Sequence, residues 1–317
     1  MAVSKKALET LLRHGENDND PWRIPPGSDR TLPTSKPSEL DIDYRFLSVR
    51  LDAATGVLRA EMRHTERACY TPGLMRDMRA FQKLLRARYS GRDAAAMPFR
   101  WLVWASQAPK VWSLGGDLTT FTRMIRAGDI AGLRAYAHLA IEILHDNLVG
   151  LDLPILTVAL IGGDAIGGGF EAMLTDDVVI AEEGARFGLP EILFNLFPGM
   201  GGYSFLKRRV GPQLARTLLE DGMTRNASEA KALGLVDRVC AAGEAERALR
   251  DFLAENDPRF ATLLTLKRVR DRVDPVSRRE LLDVVDMWVE LAMGLGEAEL
   301  RRMDCLARVQ ERRRALA

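Results

Sequence analysis

The chain has 317 residues, 47% of them hydrophobic and 28% charged, with 45 basic against 44 acidic side chains. That length can bury a full core, and the near balance of charge leaves no global field to draw in a nucleic acid or a membrane surface, so a charged partner has to be met by a local patch. Cys69, Cys240 and Cys305 lie far apart with no CxxC pair, which sets a reducing cytoplasm and no structural zinc as the expectation.

The opening MAVSKKALETLLRHGEND lacks the apolar core of a signal peptide. From Gly15 to Leu40 the sequence is rich in Pro, Asp, Ser and Asn without an apolar period, so residues 1–43 are read as a flexible extension. Order is expected from Tyr44: FLSVRLDAATGVLRAEMR alternates on either side of an Ala-Thr-Gly turn and predicts two strands. Leu74 to Arg88 fits an amphipathic helix, and PFRWLVWAS a buried strand ending before Gly115-Gly116. Leu133 to Leu148 is helical by period, LPILTVALIGG is a buried strand too short to span a membrane, Phe170 to Leu174 starts a helix, and VVIA is a further strand. Strand, glycine turn and helix thus recur, which predicts one α/β domain over residues 44–237. Beyond Pro212 the pattern is almost wholly helical, and residues 238–317 are expected to pack as helices on the core or on a neighbouring subunit.

The chemistry concentrates in glycine turns. AIGGGFEAML places a glycine triplet where a buried strand meets a helix, although glycine is the costliest residue to order apart from its use at special backbone angles or close approaches. The triplet serves either packing or an anion, because the free N–H groups of a first helical turn hold a negative oxygen. Upstream, KVWSLGGDLTTF repeats the design, and two such turns can aim two N–H groups at one carbonyl oxygen. Downstream, FGLPEILFNLFPGMGG carries Glu191 within an apolar stretch, twenty residues after Glu171. Two carboxylates beside a polarised carbonyl can act as general base and general acid; the alternative for Glu191 is a solvated loop acid. Ser204 lacks the second glycine of a nucleophile elbow, the glycines at 199 and 201 lack a dinucleotide loop's third, and His138 and His145 have no acid in register for a metal.

SLGGDL, AIGGGFEAML and FGLPEILFNLFPGMGG, in that order and at these separations, resemble the two oxyanion segments and the second acid segment of the crotonase (enoyl-CoA hydratase/isomerase) superfamily, over roughly Leu47 to Asp237. Within it, ASQAPKVWSLGGDL, GGGFEA and LPEILFNLFPGMGGYSFL are most similar to bacterial synthases of diffusible signal factor, a cis-2-unsaturated fatty acid messenger. The resemblance implies an α/β crotonase-like ββα spiral core with a helical C-terminal region, a cytoplasmic homotrimer or hexamer, and no permanently bound cofactor or metal. It assigns the oxyanion N–H groups to Gly116 and Gly168 and the acids to Glu171 and Glu191, with roles unassigned between the two. Leu114, Gly115, Phe170, Gly199, Met200 and Trp288 are the expected substrate contacts.

The implied activity is dehydration of a 3-hydroxyacyl thioester to a 2-enoyl thioester, with thioester hydrolysis releasing the free acid. The substrate carrier would be acyl carrier protein phosphopantetheine or coenzyme A, and a signalling sensor protein is a further partner that such a product implies. An ordinary enoyl-CoA hydratase/isomerase and a non-catalytic scaffold are the alternatives. Arg76, Arg79, Lys83 and Arg86 recur along one stripe of the Leu74 to Arg88 helix, either to dock an acidic carrier or CoA phosphates or as a solvated face. Leu281 to Met293 is apolar around most of its circumference and either closes a pocket over an acyl chain, with Trp288 as a wall, or makes a core or subunit contact.

Overall fold

The computed structural model describes residues 39–314, Glu66 excepted; nearly all of the expected extension over residues 1–43 lies outside them. The strands are β1 (Ile42–Asp43), β2 (Leu47–Asp52), β3 (Val57–Met62), β4 (Trp101–Ser106), β5 (Val111–Ser113), β6 (Leu156–Ile161), β7 (Asp164–Ile166), β8 (Val178–Glu182), β9 (Arg186–Gly188), β10 (Thr224–Asn226) and β11 (Arg238–Cys240). They form a seven-stranded sheet in the order β1-β2-β3-β4-β6-β8-β11 and a four-stranded sheet in the order β10-β9-β7-β5.

The β2–β3 hairpin pairs Leu47 with Met62 through to Asp52 with Val57, its turn closed by Gly56 at φ 65°. From β3 to β11 the large sheet is parallel. Its central strands WLVWA and LTVALI are buried at every position, as a parallel strand covered on both faces requires. On one face Trp101, Val158 and Ile180 pack with Leu249, Leu253, Phe260 and Leu264 from helices Ala245–Asn256 and Phe260–Val273. Among the described residues no helix is long and apolar enough to cross a membrane.

The two sheets are linked by a repeating unit. β4, β6 and β8 of the large sheet are each followed within a few residues by β5, β7 and β9 of the small one, and each of these leads through a turn into helical structure. This is a ββα spiral, and because β5, β7 and β9 are parallel neighbours, the turns that leave them lie side by side, about 5 Å apart. The helical C-terminal region is present, but β11 lies beyond the expected boundary at Asp237 and completes the large sheet against β8. β7, β9, β10 and β11 have three residues each, too few to show a period in the sequence.

The basic stripe of the Pro72–Tyr89 helix is not a free docking face. Asp146, fully buried on the neighbouring Ile130–Leu148 helix, takes ion pairs from Arg79, from Arg86 at 2.8 Å and from Arg278 at 2.8 Å. Arg79 also reaches Glu142, and Arg86 reaches Asp152. Only Lys83 of these cations is classed as exposed. Burial alone would raise the Asp146 carboxyl, but hydrogen bonding from His145 and Arg79 and the charges of Arg79 and Arg86 outweigh it and hold the group well below the ordinary carboxylate range. The cluster ties three helices together at one end of the molecule. Asp146→Asn is expected to cost about 3 kcal/mol in urea unfolding at neutral pH, since it strands three buried or half-buried guanidinium groups. The native pKa lies below the unfolded value, so the Asp146 contribution is present above pH 3.8 and is lost as pH falls through the native pKa; the gap between wild type and variant narrows in that acid range.

Candidate active site

Three consecutive repeats contribute the same position to one cavity. The residues leaving β5 are Leu114-Gly115-Gly116, those leaving β7 are Gly167-Gly168, and those leaving β9 run through Pro190 to Glu191. Gly115 has φ 84°, and a Cβ there would lie 2.7 Å from Gly168 N and 2.9 Å from Ile166 O, so the first turn rests directly on the backbone of the second. A Cβ on Gly168 would in turn come within 3.4 Å of Gly116 N. Glycine is therefore required by close approach, and the contact places two peptide N–H groups side by side.

Backbone accounting singles out which N–H groups are free. Leu114 N donates to Ala68 O at 2.7 Å, Gly115 N to Ser113 Oγ at 3.2 Å, and Asp117 N to Tyr136 Oη at 3.1 Å. On the second turn Gly167 N donates to Gly188 O at 2.8 Å, and Gly168 opens the helix Gly168–Met173. Among the described residues neither Gly116 N nor Gly168 N finds an acceptor. Asp117, fully buried, caps the next helix through Thr120 N and is held by Arg67 at 2.8 Å, which fixes the far side of the first turn.

The helix Gly168–Met173 turns Glu171 into the cavity and Phe170 away from it; Phe170 packs edge-on to Phe187 in the core instead of meeting a substrate. Gly115, packed beneath Gly168, is not a cavity wall either. Of the other expected contacts, Leu114, Gly199, Met200 and Trp288 do wall it. The cavity holds about 140 Å³. Its far side is closed by the helices Arg278–Met293 and Glu297–Arg314, through Val285, Trp288, Met303, Leu306 and Val309. Trp288 stacks edge-on to Phe121 at 5.2 Å and lies so near Gly199 that a Cβ there would be 2.4 Å from the ring. Met287, one residue away, is 60% exposed and outside both core and cavity.

The two carboxylates differ in how they are held. Glu171 is 1% exposed and its Oε1 accepts from Gly202 N at 2.8 Å. Burial, then the charge of Glu191, pushes its carboxyl well above the ordinary range, against the pull of the Gly202 and Met200 N–H groups. Glu191 follows Pro190 on a short 3-10 turn, and Gly167, at φ 56°, lets its carboxylate sit so close that a Cβ there would be 2.7 Å from Oε1. Its residue is only partly covered, yet Oε2 is sealed from solvent without a hydrogen-bond partner among the described residues. Burial pushes this carboxyl up to about 7. The solvated-loop alternative does not describe it.

The terminal helix was the part of the site that sequence reasoning missed. Met303, Leu306, Val309 and Gln310 all reach the cavity. Their three- and four-residue spacing is a helical stripe, but it is embedded in RRMDCLARVQERRR, where charge hides it.

The family model described as enoyl-CoA hydratase/isomerase matches residues 97–276. The chain is 44% identical over 88 residues to the probable enoyl-CoA hydratase echA8 of Mycobacterium tuberculosis, a stretch that is 28% of this chain and spans only 34% of that relative. It is 30% identical over 203 residues, 64% of this chain and 70% of the relative, to the enoyl-CoA isomerase/hydratase fer4 of Mycosarcoma maydis. The fold is that of the enoyl-CoA hydratase from Bacillus halodurans, with a TM-score of 0.67 at 20% identity over 82% of this chain and 99% of that one. With a family model spanning more than half of its length and the spiral fold to match, the chain belongs to the enoyl-CoA hydratase/isomerase family.

Proposed function

We propose that the protein adds water to, and removes it from, the 2,3 bond of an acyl thioester, with coenzyme A as the first carrier to be considered. The observation that carries this reading is the pair of buried carboxylates, Glu171 and Glu191, in the same cavity as the unpaired N–H groups of Gly116 and Gly168. The thioester oxygen binds between the two N–H groups, which stabilise the enolate that forms when the α-proton leaves. In dehydration one glutamate takes that proton while the other donates one to the departing 3-hydroxyl, giving water and the 2-enoyl thioester. Hydration is the same sequence reversed.

The pair is suited to hold one proton near neutrality. Burial raises both carboxyls and the charge of Glu191 raises Glu171 further, so the two compete for one negative charge. Trp288, Val285 and Leu306 give the cavity an apolar wall, and the low dielectric that raises both carboxyls also strengthens the N–H contacts to the thioester.

A finer reading is supported by the sequence likeness to signal-factor synthases and by the unpaired Glu191 Oε2. Here a 3-hydroxyacyl chain arrives on acyl carrier protein, is dehydrated, and is then hydrolysed: water activated by a glutamate attacks the thioester carbon, the C–S bond breaks, and the carrier thiol leaves with a proton. The mostly apolar lining of the cavity suits an acyl chain. Arg79 and Arg86 of the basic stripe, expected to dock an acidic carrier or CoA phosphates, are however tied up with Asp146, Glu142 and Asp152, so the stripe favours neither carrier.

Glu171→Gln and Glu191→Gln are each expected to lower kcat for 2-enoyl-CoA hydration by about 10²–10⁴-fold; near-normal turnover by either variant removes that residue from the mechanism. Because the native pKa of Glu191 lies above the unfolded value of 4.5, the folded state loses stability as pH rises from 4.5 through about 7. Glu191→Gln is therefore expected to raise resistance to urea above pH 7 and to change it little below 4.5, while losing activity. Incubation with 3-hydroxyacyl carrier protein, followed by mass spectrometry of free acids, separates the two readings: a cis-2-enoic acid supports the synthase, and an enoyl thioester without free acid supports the hydratase.

A further inference from the structure

The terminal helix brings one polar side chain into the apolar wall. Gln310 is 3% exposed, and its Nε2 donates to Leu114 O and Gly116 O, each at 3.0 Å. Both neighbours are acceptors, so the NH₂ edge of the amide must face the turn and Oε1 must face away from it. Oε1 is buried and has no donor among the described residues, and Gln310 lines the cavity together with Leu306, Val309, Leu114 and Gly116. An unpaired buried amide oxygen is costly. A methionine would match the shape of the site and its apolar neighbours without that cost.

The proposed thioester chemistry leaves one role open for this oxygen. With the thioester oxygen at Gly116 and Gly168, the hydroxyl or water is taken by the glutamates and the acyl tail has no donor. The hydrogen-bond donor left near the reacting carbonyl is the amide N–H of the carrier arm, a few bonds beyond the sulfur. Leu114 O and Gly116 O are already occupied by Gln310 Nε2.

Resting on that thioester reading, we infer that Gln310 is a positioning and binding residue of the site. Its Nε2 holds the Gly116 turn in register with Gly168, and its Oε1 accepts a hydrogen bond from the arm's amide N–H. The C-terminal helix thereby closes the cavity, braces the oxyanion turn and reads the carrier with one side chain.

The test compares 3-hydroxyacyl thioesters of N-acetylcysteamine, which keep that amide, with ethyl thioesters of the same acyl chain, which lack it. Dissociation constants and kcat are measured for wild type, Gln310→Met and Gln310→Glu. Wild type is expected to bind the amide-bearing thioester about tenfold more tightly, as one hydrogen bond implies. Gln310→Met should bind the two equally and lose about tenfold in kcat on both. Gln310→Glu, which keeps an acceptor but loses the donor, should retain the preference and lose kcat. No preference in wild type, or a preference that survives in Gln310→Met, overturns the binding role. Unchanged kcat on the ethyl thioester in Gln310→Met overturns the positioning role. A binding preference in a wild-type protein that turns over neither thioester refutes the hydratase reading and leaves the Oε1 assignment standing.

Discussion

The site depends on one backbone-on-backbone contact. Gly115, at φ 84°, rests against Gly168 N and Ile166 O with no room for a Cβ, so the turn after one repeat is seated on the turn after the next. Everything that follows is a consequence of that seating. The small sheet supplies it by keeping β5, β7 and β9 parallel and adjacent, and the short connections from the large sheet keep every repeat in phase. The N–H groups of Gly116 and Gly168 are left without an acceptor among the described residues, and donors fixed in this way by the backbone need no rearrangement when charge develops on an oxygen bound to them.

Around this contact the fold accepts unfavourable terms. Two carboxylates are buried within reach of each other's charge, Glu191 Oε2 and Gln310 Oε1 lack partners among the described residues, and several glycines are ordered at angles or distances no side chain allows. Such features cluster where function demands them and are compensated elsewhere. The compensation is visible in the buried runs WLVWA of β4 and LTVALI of β6, in the aromatic packing of Trp101 against Phe252 and Phe260, and in the Asp146 cluster that binds three helices. The helices after Pro275 have a double part. They wall the cavity with Trp288 and Leu306, and they are fastened to the body of the protein by Arg278–Asp146 and Arg126–Glu297.

The spiral was legible in the sequence where apolar runs were long enough to carry a period, as in β2, β3, β4 and β6 and the helices Pro72–Tyr89 and Ile130–Leu148. It was illegible in β7, β9, β10 and β11, whose existence follows from pairing across distant segments and not from local propensity. Glu171, Glu191, Gly116 and Gly168 could be singled out because glycine clusters and an acid in an apolar stretch are unusual locally. Phe170 and Gly115 do not wall the cavity, and motif membership does not say which face of a helix or which side of a turn meets it. The cations on the Pro72–Tyr89 helix looked free because their partners, Glu142, Asp146 and Asp152, are distant in sequence. Gln310 carried no signal at all among its charged neighbours.

The central claim is that the Gly115–Gly168 contact sets the oxyanion pair. Gly115→Ala tests it most directly, since the variant keeps both N–H groups and both glutamates but must push the turns apart. Hydration of a 2-enoyl-CoA by this variant, with its far-UV circular dichroism and melting transition recorded on the same sample, gives the decisive number. A folded protein with kcat reduced about 10²–10³-fold and substrate affinity much less affected is the predicted result. A folded variant that turns over at close to the wild-type rate contradicts the account.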